Sequence, residues 1–448
     1  MEYPGTRFTR PLRLLLLGGF IIAFLIIAPL VILSTAGYQL DWRRGIWRTT
    51  GSISVDIEPA TAKLILNGVA AKGKMPYRLN NLTPRQYSLV LDATGYHRWQ
   101  TAVTLHNQQT IYFKDIGLLK NQTPRRRRRG RIDQLFLSPG GNYLITVNQN
   151  QNRQEIWLTD LKKEELTLLT ALARETEVDW RWAEREPYGI LSITTPSSSQ
   201  LALINAKEPG PPTILNTPTS AAITKWQWLP EETILYLSTS TTLFQWSPTT
   251  RKMLRLTELA GADWQASANG LWLLRLAPAA NRWELIRNAL GFRSLWKTLP
   301  ADNNARRFPW RLVQAAPDSV LVERPGPERR LLTAAAEFTI PGSYFRRSPF
   351  NDWWLLGSPW ELREYRHGAA PTLLLRSGEP YADAVPLDEY NTLALVLPDR
   401  VTAFFPYYQV SHDFIPAVVR RLAADPKRRR LFFAGIYQNQ EGLWELNY

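Results

Sequence analysis

The chain of 448 residues has no cysteine. That excludes disulfides, a thiol nucleophile, cysteine-ligated zinc and a lipid-modified cysteine anchor. It does not select a compartment, because a large exported domain folds without disulfides. Histidine is almost as scarce: the four, His97, His106, His367 and His412, are scattered. No nucleophile-elbow glycine frame, phosphate-cradling glycine loop or His-Glu-x-x-His helix occurs. The sequence therefore offers no catalytic motif, metal site or cofactor site. Carboxylate pairs for glycoside hydrolysis are assembled in space rather than along the chain, and nothing here identifies one.

The first third is short of negative charge. Residues 1–131 hold 20 Lys/Arg against six acids, a net of +14 out of the whole chain's +15. Beyond residue 131, 34 basic and 33 acidic residues nearly cancel. A nucleic-acid protein carries its basic face on a folded domain. Here six of the surplus charges are Arg125–Arg129 and Arg131, and others flank a segment with no charge at all. That segment, Leu14 to Leu33, is twenty residues long, and as a helix it spans ~30 Å, the hydrocarbon core of a bilayer. No polar face interrupts it, which argues against a buried core helix, and membrane helices tolerate a proline such as Pro29. Ser34-Thr35-Ala36 would suit signal cleavage, but the apolar run is longer than signal peptides use. The expectation is an uncleaved anchor over residues 14–36. Arg7, Arg10 and Arg13 before it balance Arg43, Arg44 and Arg48 after it. The short tail, residues 1–13, is more easily retained than translocated, so the N-terminus is placed in the cytoplasm and the rest outside. Tyr38, Trp42 and Trp47 suit the outer interface.

From Gly51 short alternating strands follow, with Asn67-Gly68 as a hairpin turn that accepts positive φ at both residues. Val55, Pro59, Ala62, Asn67, Gly68, Gly73, Pro76, Leu82, Tyr87, Leu89, Leu91, Gly95 and Tyr96 stand in an order that resembles the PEGA domain. Pro59-Ala60-Thr61-Ala62 lacks the central Glu-Gly of the signature, and Arg85-Gln86 replaces the usual Pro-Gly. The resemblance implies a small non-catalytic sandwich over residues 51–119, of a kind common in surface-associated bacterial proteins. The residues themselves read as a compact antiparallel module.

From Ile132 a pattern recurs about every 35 to 45 residues, the period of a four-stranded propeller blade. Eight units begin near residues 132, 178, 223, 262, 307, 343, 381 and 418, and the last shows three strands before Tyr448. A closing strand borrowed from the region of residues 119–131 would seal such a ring. Ser138-Pro139-Gly140-Gly141, Ile156-Trp157, Asp160-Leu161 and Leu169-Thr170 make the first unit similar to the repeat of TolB-like propellers, with Gly140 in place of the usual Asp. The expected fold class is all-β: a transmembrane helix, a small PEGA-like sandwich and, over residues 132–448, a propeller of about eight four-stranded blades. Residues 120–131, with Pro124 ahead of the arginines and Gly130 among them, read first as a flexible basic linker.

Trp180, Trp182, Trp226, Trp228, Trp264 and Trp310 lie at period two in opening strands, which suits packing between blades better than stacking on sugars. Asp133, Asp179, Asp263 and Asp383 open four units and form a candidate ligand-binding ring at a channel mouth, for a cation or a basic segment. Turn capping is their alternative role. Arg125, Arg126, Arg127, Arg128, Arg129 and Arg131 are candidate contacts for anionic polymers or headgroups. The basic pairs Arg306-Arg307, Arg329-Arg330, Arg346-Arg347 and Arg420-Arg421, with Lys427 to Arg430, read as solvated charges. The expected function is a non-enzymatic, membrane-anchored scaffold of the cell envelope, with the lipid bilayer and an envelope protein, peptide or glycan as partners. The alternatives are an envelope enzyme acting on polysaccharide and a cytoplasm-facing nucleic-acid-binding protein.

Overall fold

The computed structural model describes residues 10–448 apart from 36–37, 42–45, 151, 186, 219–220, 231, 278, 280, 290–291, 302–308, 327, 343 and 351–352. Most of the tail (residues 1–9), Trp42, Arg43, Arg44 and the pair Arg306-Arg307 thus lie outside the described residues. Chain contacts divide the protein into two units, Met1–Gln122 and Thr123–Tyr448.

The uncharged run is helical from Arg10 to Thr35 and carries Pro29 within it. The stretch Pro11–Leu33 is long and apolar enough to cross a membrane, or to serve as a signal segment, and none of it is buried by protein. A helix bonds its own backbone internally, so an apolar one needs no further backbone partners in hydrocarbon. Tyr38–Asp41 and Ile46–Thr49 then pair as a short antiparallel hairpin.

Seven strands follow in two sheets. One is ordered Tyr77–Leu82, Gly51–Glu58, Thr110–Gly117; the other is Val69–Ala70, Lys63–Leu66, Arg85–Asp92, Trp99–Leu105. Alternation decides which face turns inward: Ile53, Val55, Leu64, Leu89 and Leu91 are fully buried, while their neighbours along each strand face outward. Trp99 of one sheet meets Phe113 of the other edge-on at 5.9 Å. Asn67 and Gly68 both have positive φ, and Leu66 pairs with Val69 across them, as the hairpin reading expects. The module is not wholly antiparallel. Its first and last strands, Gly51–Glu58 and Thr110–Gly117, run parallel, which they can do because some fifty residues separate them and allow a crossover.

The second unit contains eight four-stranded antiparallel sheets among the described residues. Seven take their strands in chain order, and their first strands are Gln134–Leu137, Glu177–Trp182, Lys225–Trp228, Asp263–Ser267, Arg311–Ala315, Tyr344–Arg347 and Asp383–Pro386. The eighth joins Ala417–Asp425, Arg430–Tyr437 and Gln440–Asn447 to Arg125–Arg129 from the start of the unit. Residues 125–129 are therefore an edge strand and not a flexible linker. The reading fails because Glu445, Glu164 and the faces of Trp444 and Trp157 receive the arginines locally and remove the self-repulsion on which it rested.

From the first to the seventh, each sheet shares an apolar core with the next. Ile156 and Leu158 meet Trp180 between the first and second; Leu201 meets Trp228; Leu243 meets Trp264; Leu285 meets Trp310; Leu331 meets Trp354; Leu355 meets Leu395. Between the seventh and eighth, the Tyr448 hydroxyl donates to the Leu387 carbonyl at 2.5 Å. Phe432 and Leu443 of the eighth pack on Leu135 and Leu144 of the first. The indole N–H groups of Trp182 and Trp228 each donate to a backbone carbonyl of the preceding sheet, at 3.1 Å. The tryptophans singled out by period are interleaf packing, as their spacing suggests.

Beside the joint at Leu387, Asp388 is half-buried with its Oδ2 shielded from solvent, accepts bonds from the Tyr390 and Thr392 amides at 3.0 and 2.9 Å, and has its pKa raised by desolvation. An acid with a raised folded pKa contributes stability below its unfolded value and loses it as pH rises through the folded value. Asp388→Asn, which keeps both acceptor bonds and carries no charge, should therefore raise the melting temperature at pH 7 by roughly 2 °C. The gain should vanish on acidification. A lower melting temperature for the variant at both pH values would show that the charge is needed.

Candidate functional site

Each of the four repeat-opening aspartates meets a basic side chain of this same chain. Asp133 accepts from Arg131 at 2.7 Å, and Asp179 from Arg181 at 3.2 Å. Asp383 takes both its oxygens to Arg346, at 2.7 and 2.6 Å, and accepts from the Tyr344 hydroxyl at 3.0 Å. Burial opposes the Arg346 charge, but Asp383 and Tyr344 outweigh it and its pKa moves up; burial pushes the Tyr344 phenol up as well. Asp263 receives Lys225 Nζ at 2.7 Å and the amides of Trp264 and Leu312 at 2.9 and 2.7 Å, so one carboxylate ties the third, fourth and fifth sheets. These carboxylates act as cross-struts between and along first strands. Among the described residues no group of three His, Asp or Glu is arranged to hold a metal ion.

The arginine strand is engaged in the same way. A bulge between Arg126 and Arg128 sets Arg127 apart from the register with Gln440–Asn447. Arg127 donates to Glu445 and, at 2.6 Å, to Glu164. The Arg126 and Arg128 guanidiniums lie over Trp444 and Trp157, at 5.7 and 4.6 Å from the ring centres. Beyond Glu445 the series continues through Arg430, 3.8 Å away, to buried Asp425, which also holds Arg428. Arg428 in turn donates to the carbonyls of Gly140 and Gly141 in the first sheet. A line of alternating charges thus crosses the whole eighth sheet and fastens it to the first. Of the six arginines proposed for polymer contact, Arg125 and Arg129 are exposed, and the other four have partners within the chain. Within the basic pairs, Arg329 is matched by Glu323, Arg330 by Glu337, Arg347 by Glu184 and Arg420 by Glu441, whereas Arg421 is exposed and bonds the Arg420 carbonyl.

Sequence reasoning did not find a cleft of about 540 Å³ that spans the third to fifth sheets. Thr224, Ser238, Thr239 and Ser240 form a shelf of hydroxyls; Trp264, Trp283 and Trp310 wall it; Lys225, Asp263, Arg311 and Glu323 supply charge. Lys225 pairs with Asp263, and Glu323 with Arg329. Arg311 is exposed and stands directly across the strand pair from Glu323. The one sequence signal was that Lys225 stands where the second, fourth and seventh units carry aspartate. The remainder is collected from positions over eighty residues apart.

His367 is the histidine that comes nearest to a catalytic arrangement. Ser319 Oγ is 3.0 Å from its Nδ1, and Asp318 lies 3.4 Å from the same nitrogen. A nucleophilic relay needs hydroxyl and carboxylate on opposite ring nitrogens, and Ser319 is fully buried. The three instead seat the ring against Trp354 and Tyr365. His412 stacks on Phe405 at 5.5 Å.

No curated protein matches the chain in sequence. Among solved structures, hydrazine synthase of Kuenenia stuttgartiensis is similar at TM-score 0.37 and 9% identity, covering 71% of this chain and 96% of that one. An uncharacterised protein of Listeria monocytogenes gives 0.36 and 10%, covering 63% and 91%. Dipeptidyl peptidase 4 of Porphyromonas gingivalis gives 0.45 and 10%, covering 70% and 57%. Scores at this level assign no activity. Residues 50–116 match the PEGA domain, a non-catalytic interaction module, and the chain accordingly has a binding role built on that module and no recognisable catalytic motif.

Proposed function

We propose that the protein is a membrane-anchored binding protein of the cell envelope whose second unit is an eight-bladed propeller. In this reading residues 1–13 stay in the cytoplasm, residues 14–36 cross the bilayer, and the PEGA module and the propeller stand outside. The observation that carries it is the cyclic order of packing, in which the first seven sheets share cores in sequence, Tyr448 bonds Leu387 between the seventh and the eighth, and the eighth, built from both ends of the unit, packs on the first. The ion pair between Glu184, just after the first strand of the second sheet, and Arg347, at the end of that of the sixth, at 2.6 Å, supports the same geometry. In a ring of eight those sheets face each other across the axis. A closed ring leaves no long free sheet edges and holds its surface loops rigidly, which suits presentation of a binding site.

The experiment combines topology with capture. A C-terminal epitope should be lost when protease is added to spheroplasts whose inner membrane is sealed. A photo-cross-linking residue at Ser240, on the cleft, should give discrete adducts in living cells. Protection of the epitope until that membrane is breached would reverse the orientation and make RNA or DNA the next partner to test.

A further inference from the structure

We propose that the rim of the third and fourth sheets rests on the headgroup surface of an anionic bilayer. The inference rests on the reading above, in which the apolar helix spans a membrane and the last strands of the sheets form the rim of the ring. The last strands of these two sheets are Met253–Glu258 and Phe292–Pro300. They are joined where the Arg293 guanidinium donates to Thr257 Oγ1. Leu254, Leu256 and Leu295 stand on them at 58, 42 and 53% exposure. Leu166, Leu168 and Ile214 continue the exposed apolar series on the last strands of the first and second sheets. Among the described residues the rim strands of the fifth, seventh and eighth sheets carry no large apolar side chain so exposed, and that of the sixth carries Leu373 alone. The rim is therefore apolar on one side only, and a grouped apolar surface of this kind marks a place of contact.

The charges say what it meets. Arg251 and Lys252 close the turn before Met253, and Arg255, Arg293 and Lys297 stand on the two strands. The one acid on these strands is Glu258, which Arg255 holds at 2.6 Å. No acid lies across the sheet from the others: Arg293 faces Asn288 and Lys297 faces Leu285. Leucines interleaved with lysine and arginine suit a lipid interface, where the apolar side chains enter the headgroup boundary and the cations meet phosphates. The chain also supplies that surface itself. Pro11–Leu33 is long and apolar enough to hold a bilayer beside it, and tethering turns docking into an intramolecular event.

The test uses the full chain in nanodiscs of phosphatidylcholine with about 30% phosphatidylglycerol, enough to attract basic segments. The chain has no cysteine, so Leu256→Cys carries the only thiol and takes an environment-sensitive dye. A lipid spin-labelled at its headgroup should quench that dye. Discs of phosphatidylcholine alone, or high salt, should relieve the quenching. Arg251→Gln with Lys252→Gln should lower the docked-to-free ratio roughly twenty-five-fold, since each basic residue near such a surface is worth about a factor of five. Both lie exposed in a turn, so the melting temperature should not change. The same dye at Ser411→Cys, exposed on the last strand of the seventh sheet, should stay unquenched. Equal quenching at the two positions, quenching indifferent to lipid charge, or an unquenched dye at Leu256→Cys would overturn the proposal. An unquenched dye that is nonetheless shielded from water would give the rim to a second copy of the chain instead. If the chain enters the discs and the dye is unquenched, only the rim contact is lost; if it does not enter them, the anchor goes too.

Discussion

Glu445→Ala should expose the arginine strand to trypsin and lower the stability of the second unit by about 3 kcal/mol, the cost of stranding a largely buried partner charge. Glu445 is the centre of the line of charges. It accepts from Arg127 on one side and faces Arg430 on the other, with its own side chain only 10% exposed. Without it, two guanidiniums confront each other across the joint that holds Arg125–Arg129 to Gln440–Asn447. Trypsin cuts after arginine, so a strand of five arginines reports its own release. The parent protein should resist cleavage there, the variant should be nicked within the run, and Arg125→Ala, at the exposed end, should behave as the parent. Gly442→Ala tests the same joint by shape, because a Cβ there would collide with the Arg128 carbonyl oxygen. If Glu445→Ala melts with the parent and stays uncut, the charges do not hold the closing strand. Acid should act in the same direction. Glu164 is held below the ordinary carboxylate range by its hydrogen bond from Arg127. Its contribution is present above the unfolded glutamate value and is lost as pH falls through the lower folded value.

Trp264→Ala should cost about 3–5 kcal/mol, the range for emptying a buried aromatic site. Trp264 is 1% exposed, fills the joint between the third and fourth sheets, and donates to Ser238 Oγ at 2.9 Å. Trp264→Phe separates the two contributions. It keeps most of the volume and removes the hydrogen bond, so roughly 1–2 kcal/mol should be lost. Trp226→Ala, at the half-buried position two residues before Trp228, should cost less than Trp264→Ala. Chemical denaturation of the full chain measures all three. Equal costs for Trp226→Ala and Trp264→Ala would mean that the alternation along first strands does not set the packing between sheets.

Much of this architecture was legible because its causes are local. Twenty uncharged residues form a helix whose uncovered surface suits a membrane span or a signal segment. The alternation of Ile53, Val55 and Ile57 points one face of a strand inward whatever it packs against. Asn67-Gly68 turns because both residues tolerate positive φ. Recurrence every 35 to 45 residues marked eight units, because four short strands are the smallest piece that hides one face on a neighbour. The parallel pairing of Gly51–Glu58 with Thr110–Gly117 was not legible, since it depends on which edge is free after a long crossover.

Charge was decided differently. Five arginines in a row carry no alternation, and by composition alone they describe a solvated linker. Only the folded chain brings Glu445, from some 320 residues away, and Glu164 within reach, and a bulge aims Arg127 between them. The aspartates show the same limit, because the identity of a repeat position cannot say whether the adjacent sheet supplies a lysine, an arginine or an empty space. Local propensity and apolar periodicity are properties of neighbours along the chain, and the sequence alone determined the helix, the strands and the repeat. Electrostatic pairing and cleft shape are sums over residues far apart, so the partner of each charge and the residues that line the cleft were set only when the sheets came together.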